Sequence, residues 1–434
     1  MKNKHPIILQ AVKLRLERLL LPVFIVGLIL TGCSSGMDIN RMAVPDYSSE
    51  DLNVETDFQI FHTTLDSSRL FIKINTKNLL YTRGSSSGFS ARVQVIITPY
   101  ILGDDSAIKL KGKTIQINDE DADKSVKQLL AATDLYLPDG KEYSISMKIT
   151  DLNRKRDITK FFLSEKKFPH SRQYFMAAES DVTIPMFSDR ITSGKAYIIK
   201  TNAAKSGKVY VRYYQREFSL PPPPFAYYDP PSFNYEPDSV FTMELNSKNE
   251  FRMVAGDRGF YHFQADPEQK QGFTLFTGSE DHPEVTVVDQ LVEPFRYLVS
   301  SREFSSVIKG EEKKRIIEDF WMEWCGNKER ARSAIEAYYL RVEEANKHFS
   351  SHVDGWKSDR GLVYIVYGKP NKVYRSSSVE TWIYGEENNP MSITFNFIKV
   401  INPFTVNDFR LNREDYYKPT WYRSLEAWRN GRVY

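Results

Sequence analysis

From Phe58 onward, short runs alternate apolar and polar positions. Leu70-Phe71-Ile72-Lys73-Ile74, Ala91-Arg92-Val93-Gln94-Val95-Ile96-Ile97, Thr114-Ile115-Gln116-Ile117 and Tyr143-Ser144-Ile145-Ser146-Met147-Lys148-Ile149 share the period of two that predicts half-buried strands. Pro138-Asp139-Gly140 is a turn between two of them. Short strands at this spacing predict a first immunoglobulin-like β-sandwich over residues 53–168. A second follows over 169–298. There Lys195–Ile199 and Lys208–Tyr214 read as a hairpin around Lys205-Ser206-Gly207. Val240–Leu245, Gly259–Gln264 and Gly272–Phe276 complete the set, with Phe260, His262 and Gln264 on one face.

From Ser301 the period becomes helical. Ile316, Ile317, Phe320, Trp321 and Trp324 fall on one face, Gly326 stops that helix and Asn327 caps the next. Ala331, Ala334, Ile335, Tyr338, Val342, Ala345 and Phe349 form a second stripe, so two antiparallel helices joined by a tight turn are expected. Gly361–Tyr367, Glu380–Tyr384 and Ser392–Phe397 read as strands, the first ended by Gly368-Lys369-Pro370. The predicted class is therefore mainly β, with two sandwich modules and a C-terminal α+β domain, residues 299–434, of two helices on a small antiparallel sheet.

Composition agrees: 41% hydrophobic and 13% aromatic residues over 434 positions suit several packed domains. Charge changes the picture at the N-terminus. Lys2, Lys4, Lys13, Arg15 and Arg18 lie before Cys33 and Glu17 is the one acid there, so the formal charge of +3 becomes about −1 without that segment. Nothing global then points to nucleic acid as a partner.

The basic region leads into a twelve-residue apolar run, Leu19–Leu30, that contains Pro22 and Gly27. A membrane-spanning helix needs roughly 20 residues. The layout predicts a secretory signal, residues 1–32, removed on maturation. Leu30-Thr31-Gly32-Cys33 resembles the bacterial lipobox. That resemblance implies a diacylglyceryl thioether on Cys33 and a further acyl chain on its amine, enough for stable anchoring. Residues 33–52 would form a polar tether. Ser34, not Asp, follows the cysteine, which favours the outer membrane; which leaflet and face the chain occupies stays open. With Cys33 acylated, Cys325 has no partner for a disulfide.

A second resemblance covers Phe320 to about Tyr384. Phe320-Trp321, Tyr338-Tyr339-x-Arg341-Val342, Ala345-Asn346-x-x-Phe349, Gly355-Trp356-Lys357-Ser358-Asp359-Arg360-Gly361, Val363-Tyr364-Ile365-x-Tyr367-Gly368-x-Pro370 and Glu380-x-Trp382-x-Tyr384 resemble, in order, the blocks of the GWxTD domain family. That family is known mainly from Bacteroidetes and related envelopes. Ser358 stands where the family name has Thr. The resemblance implies no enzymatic activity and no cofactor beyond the lipid on Cys33. Physically, Trp356 offers a large ring to bury, and Ser358 and Asp359 suit a cap or a turn into the next strand. Arg360 has Asp359 or Glu380 as candidate partners, Gly368 and Pro370 shape an exit turn, and Trp382 sits in the following strand. Two roles stay open for Gly355, Trp356, Ser358, Asp359, Arg360, Gly361, Gly368, Pro370 and Trp382: a folding signature, or a docking surface.

Other chemistry is poorly supported. Gly84-Ser85-Ser86-Ser87-Gly88 matches the nucleophile-elbow pattern, but a strand follows where a helix is required. The seven His show no metal-binding spacing, and Asp119–Asp123 lacks the glycine and spaced ligands of a calcium loop. Pro221–Pro224, with Pro230, Pro231 and Pro237, reads as a stiff loop or as a polyproline segment that docks a partner. The expectation is an outer-membrane-anchored lipoprotein with no enzymatic role. It would serve as an accessory or scaffold subunit of an envelope machine for secretion and gliding or for outer-membrane protein assembly. The membrane and an envelope protein complex would be its partners, and no small molecule is expected. The alternative is a surface carbohydrate-binding lipoprotein, with Phe225-Ala226-Tyr227-Tyr228 as the stacking candidates.

Overall fold

The computed structural model describes residues 54–432, apart from 84–87, 104–106, 122–125, 180–182 and 230–231. Cys33, the signal segment, the tether, most of the Gly84–Gly88 run, part of the Asp119–Asp123 run and Pro230-Pro231 lie outside the described residues.

In the first module, strands Thr56–His62, Ser67–Asn75 and Gln128–Tyr136 form one antiparallel sheet. The long strand Phe89–Leu102 organises the other, with Lys113–Asp121 on one side and Glu142–Asp151, then Arg156–Glu165, on the other. The alternation explains the pairing of the sheets. Leu70, Ile72 and Ile74 face inward from one sheet, and Val93, Val95, Ile97, Ile145, Met147 and Ile149 from the other, all in one core. Each such side chain contributes about 1.5–3 kcal/mol by leaving water. The Tyr143 hydroxyl donates to the Pro138 carbonyl and ties the predicted turn to the core.

The second module is also two sheets. Phe175–Ala178, Ala196–Thr201 and Glu250–Val254 form one. Arg190–Thr192, Phe273–Gly278, Phe260–Gln264, Lys208–Tyr214 and Ser239–Glu244, in that spatial order, form the other. The expected hairpin at Lys205–Gly207 is therefore an arch: its two strands belong to opposite sheets and do not pair. Tyr197 and Ile199 on one strand and Val209 and Val211 on the other are buried in a common core. A hairpin would set those faces side by side, whereas the arch sets them against each other. The alternation is the same in both cases, so the turn residues alone do not decide.

The C-terminal region holds six α-helices among the described residues, where the pattern pointed to two: α1 Val288–Phe295, α2 Ser301–Lys309, α3 Lys313–Cys325, α4 Lys328–Phe349, α5 Asp359–Tyr367 and α6 Lys418–Arg429. The turn from α3 to α4 follows the prediction: Gly326 is left-handed with φ of 74°, and Asn327 accepts the Arg330 N–H at 2.9 Å. A four-stranded antiparallel sheet, Lys372–Arg375, Val379–Tyr384, Ile393–Lys399 and Phe409–Leu411, packs on the helices.

The predicted strand Gly361–Tyr367 is instead helix α5. Residues 359–366 are buried on every side, which erases the amphipathic period that marks a surface helix. Ser358 overrides the β-branched composition by capping the helix, its hydroxyl accepting the Gly361 N–H at 3.0 Å. Helix α1 was unreadable because it is eight residues long and contains Pro294.

The second module and the C-terminal region share an aromatic joint. Phe260 and His262, on the face the sequence assigned to them, meet Phe404 at 5.0 and 5.2 Å between ring centres. Arg190 donates to the Ser351 and Val353 carbonyls at 2.7 and 2.9 Å. The proline stretch is an internal strap: Arg413 donates to the Pro222 carbonyl at 3.3 Å and the Glu414 N–H to that of Pro224 at 3.2 Å.

Candidate functional site

The signature residues gather where the loop after α4 enters α5. Gly355 begins a 3-10 turn pressed on α4, and a Cβ there would lie 1.8 Å from the Ala345 carbonyl oxygen. Gly361, one turn into α5, has the same constraint, its Cβ falling 1.9 Å from the Gly355 oxygen. Both glycines exist to let backbone approach backbone. Between them Trp356 buries its ring against Tyr297, its carbonyl accepts the Tyr297 hydroxyl at 2.8 Å, and its N–H donates to Asn346 at 3.2 Å. Complete burial drives the Tyr297 hydroxyl well above the usual phenol range.

Ser358 holds both ends of this arrangement. Besides capping α5, its hydroxyl donates to the Gly355 carbonyl at 2.7 Å. A threonine hydroxyl can make the same two bonds. Serine therefore fills the position with no change in its role.

The two charged residues that follow go separate ways. Asp359 is 8% exposed; it accepts the Leu411 N–H at 2.8 Å and a two-pronged contact from Arg413, which clamps α5 to the last strand of the sheet. Arg360 is 1% exposed and pairs with Glu380, not Asp359, at 3.4 Å. Its other nitrogen donates to the Asn407 carbonyl at 2.9 Å and to the Asn407 side chain. The guanidinium stacks over Phe409 at 4.2 Å and Phe349 at 5.1 Å. Glu380, fully buried, also takes Arg375 at 2.7 Å and the Trp382 indole N–H at 2.7 Å. The Trp382 ring then fills the space between Phe349, Tyr364 and Phe397.

Gly368 and Pro370, read from the sequence as the end of a strand, instead close helix α5. Gly368 has φ of 83°, and its carbonyl accepts the Tyr384 hydroxyl at 2.9 Å. Pro370 is buried beside it. The structure thus brings together Gly355, Trp356, Ser358, Asp359, Arg360, Gly361 and Trp382 in one buried network, with Gly368 and Pro370 at the far end of the same helix. Asn346, Asn407, Arg375 and Arg413 complete it. They carry no periodic signal and lie far apart in sequence; only the fold assembles them.

The Asp359, Arg360 and Glu380 side chains are buried against partners within the domain. Nearby, burial pushes the His348 imidazole down to about 3 and raises the Asp408 carboxyl to about 6. Burial also raises the Cys325 thiol, which disfavours the reactive thiolate. Asp119 is already held by the Tyr81 hydroxyl at 2.7 Å and Lys127 at 2.8 Å. Among the described residues, no group of three or more acidic, His or Cys side chains is placed to hold a metal, and no helix is long and apolar enough to cross a membrane. Of the aromatic run at 225–228, Phe225 packs on Tyr422 and Tyr228 lies under Arg413, leaving Tyr227 exposed.

No curated protein matches the chain. Solved structures align with parts of this chain at low identity and low TM-score. A calcium-binding mutant of Bacteroides uniformis beta-glucuronidase 2 is 11% identical over 29% of this chain and 14% of its own, with a TM-score of 0.18. Red sea bream transglutaminase is 9% identical over 53% and 32%, with a TM-score of 0.19. The major pilin subunit of Bacillus cereus is 10% identical over 54% and 66%, with a TM-score of 0.15. These scores carry no argument about activity. The GWxTD domain family matches residues 259–430, a span that starts at the strand whose Phe260 and His262 pack on Phe404 and ends at the close of α6. Over that span the signature residues occupy the places just described, and the chain carries a GWxTD domain.

Proposed function

We propose that this protein is an outer-membrane-anchored lipoprotein that serves as a scaffold or accessory subunit of an envelope protein machine, through protein–protein contacts and without catalysis of its own. Secretion with gliding, or outer-membrane protein assembly, is the setting. One observation carries the reading. The signature that defines the domain is spent internally, on clamping α5 between α4 and the sheet, so its charged residues build a rigid body. The lipobox-like Leu30-Thr31-Gly32-Cys33 supports an anchor for that body.

Affinity purification of the tagged chain from solubilised membranes tests this. A stoichiometric protein partner is the expected result, and recovery of the monomer alone overturns it. A Cys33→Ser variant should leave the membrane fraction; retention there refutes the anchor.

A further inference from the structure

The second module leaves one side of its sandwich open. Strand Ser239–Glu244 pairs only with Lys208–Tyr214, and Glu250–Val254 only with Ala196–Thr201, among the described residues. Between these two edges runs a groove of about 420 Å3, walled by Tyr213, Phe241, Met243, Met253 and Tyr261. Phe241 and Val254 in that wall are 40% and 62% exposed.

Sheet edges are normally protected by charge, proline or cover. Here the Lys372–Glu387 pair guards the edge strand of the C-terminal sheet, and Asp134, on an edge strand of the first module, is paired with Arg69 of the neighbouring strand. Ser239–Glu244 has a single charge, Glu244 at its end, already paired with Lys208 at 2.9 Å.

The ladder geometry shows what the edge offers. Lys208 faces Glu244, and the Leu245 N–H bonds the Gly207 carbonyl at 2.9 Å. Hydrogen bonds to the neighbour then fall on odd-numbered residues, so Val240, Thr242 and Glu244 turn N–H and C=O outward. Arg252 lines the same groove, exposed and without an ion-pair partner among the described residues.

We propose that this groove receives an extended segment of a partner protein, which adds as a strand to the Ser239–Glu244 edge, buries alternate apolar side chains in the groove and sets a carboxylate against Arg252. The open ladder supplies affinity, the groove selects apolar side chains at every second position, and Arg252 selects the acid. This names a docking face for the scaffold reading and depends on that reading only for its cellular setting.

The test uses the full chain and a fluorescent probe peptide, acetyl-Thr-Val-Thr-Val-Thr-Glu-Thr-Val-Thr-amide, whose Glu shares a face with the valines, followed by anisotropy. Thr242→Pro removes an outward N–H and leaves the ladder to Lys208–Tyr214 intact. Arg252→Glu reverses the charge at an exposed position. Each should weaken binding about tenfold, and a peptide with Lys in place of Glu should recover affinity for the Arg252→Glu variant. Absence of binding by the parent chain, or equal binding by both variants, overturns the proposal. So does sedimentation of the parent as a dimer that Thr242→Pro converts to monomer, because the occupant is then a second copy. Loss of membrane partners in cells would bear on the scaffold reading and not on this result.

Discussion

Replacing Glu380 by Gln isolates the buried charge network. The carboxylate is fully buried and serves Arg375 at 2.7 Å, Arg360 at 3.4 Å and the Trp382 indole at 2.7 Å. Glutamine offers one oxygen, which can keep either Trp382 or an arginine, and it aims an amide N–H2 at a guanidinium. Arg360, 1% exposed, is then an unneutralised charge with no route to water. Breaking a buried pair from one side costs about 3–5 kcal/mol, and the loss of two charge-assisted hydrogen bonds at about 1.5–3 kcal/mol each gives the same range. Arg375→Gln should cost only about 1 kcal/mol, because that side chain is 34% exposed and shares its charge with solvent. The double variant Arg360→Met with Glu380→Leu should lose less than Glu380→Gln alone, since the charge left behind, on Arg375, is 34% exposed and not fully buried. Urea unfolding followed by tryptophan fluorescence reads this cleanly: all six tryptophans lie between positions 321 and 428, so the signal belongs to the GWxTD domain. The Glu380→Gln midpoint should fall by about 2 M. A shift equivalent to less than about 1 kcal/mol, or an Arg375→Gln effect as large, would refute the network as the clamp on α5.

Further outcomes follow from the same geometry. Gly361→Ala places a methyl 1.9 Å from the Gly355 oxygen and should destabilise by about 3 kcal/mol or more, read in the same urea assay; near-parental stability would show that the two turns do not press together. Ser358→Thr should be nearly neutral and Ser358→Ala should cost about 1 kcal/mol, because only the hydroxyl caps α5; equal effects would sink the capping role. Burial holds His62, His262 and His352 at about 4 and His348 at about 3, against an ordinary value of 6.5. The unfolded chain binds more protons between those limits, so stability is full above pH 6.5 and falls as pH drops toward 4. Asp408, raised to about 6, and Glu165, also raised by burial, work in the opposite sense but are fewer than the four imidazoles. Melting temperature should therefore be markedly lower at pH 5 than at pH 7.5, and a flat profile would show the imidazoles to be hydrated.

The sequence by itself determined the class of each region and where its core lies. Alternation marked Leu70, Ile72, Ile74 and Val93, Val95, Ile97 as facing rows, and helical spacing marked α3 and α4 together with the turn at Gly326 and Asn327. These signals are local, because one buried face imprints its period on the residues that make it. Tertiary structure decided what no period encodes. It made Gly361–Tyr367 a helix, since a segment buried on all sides loses the contrast between faces. It turned the Lys205–Gly207 hairpin into an arch, since side-by-side and face-to-face strands share one pattern. It gave Arg360 to Glu380 and Asp359 to Arg413, which only the packing of α5 on the sheet brings within reach.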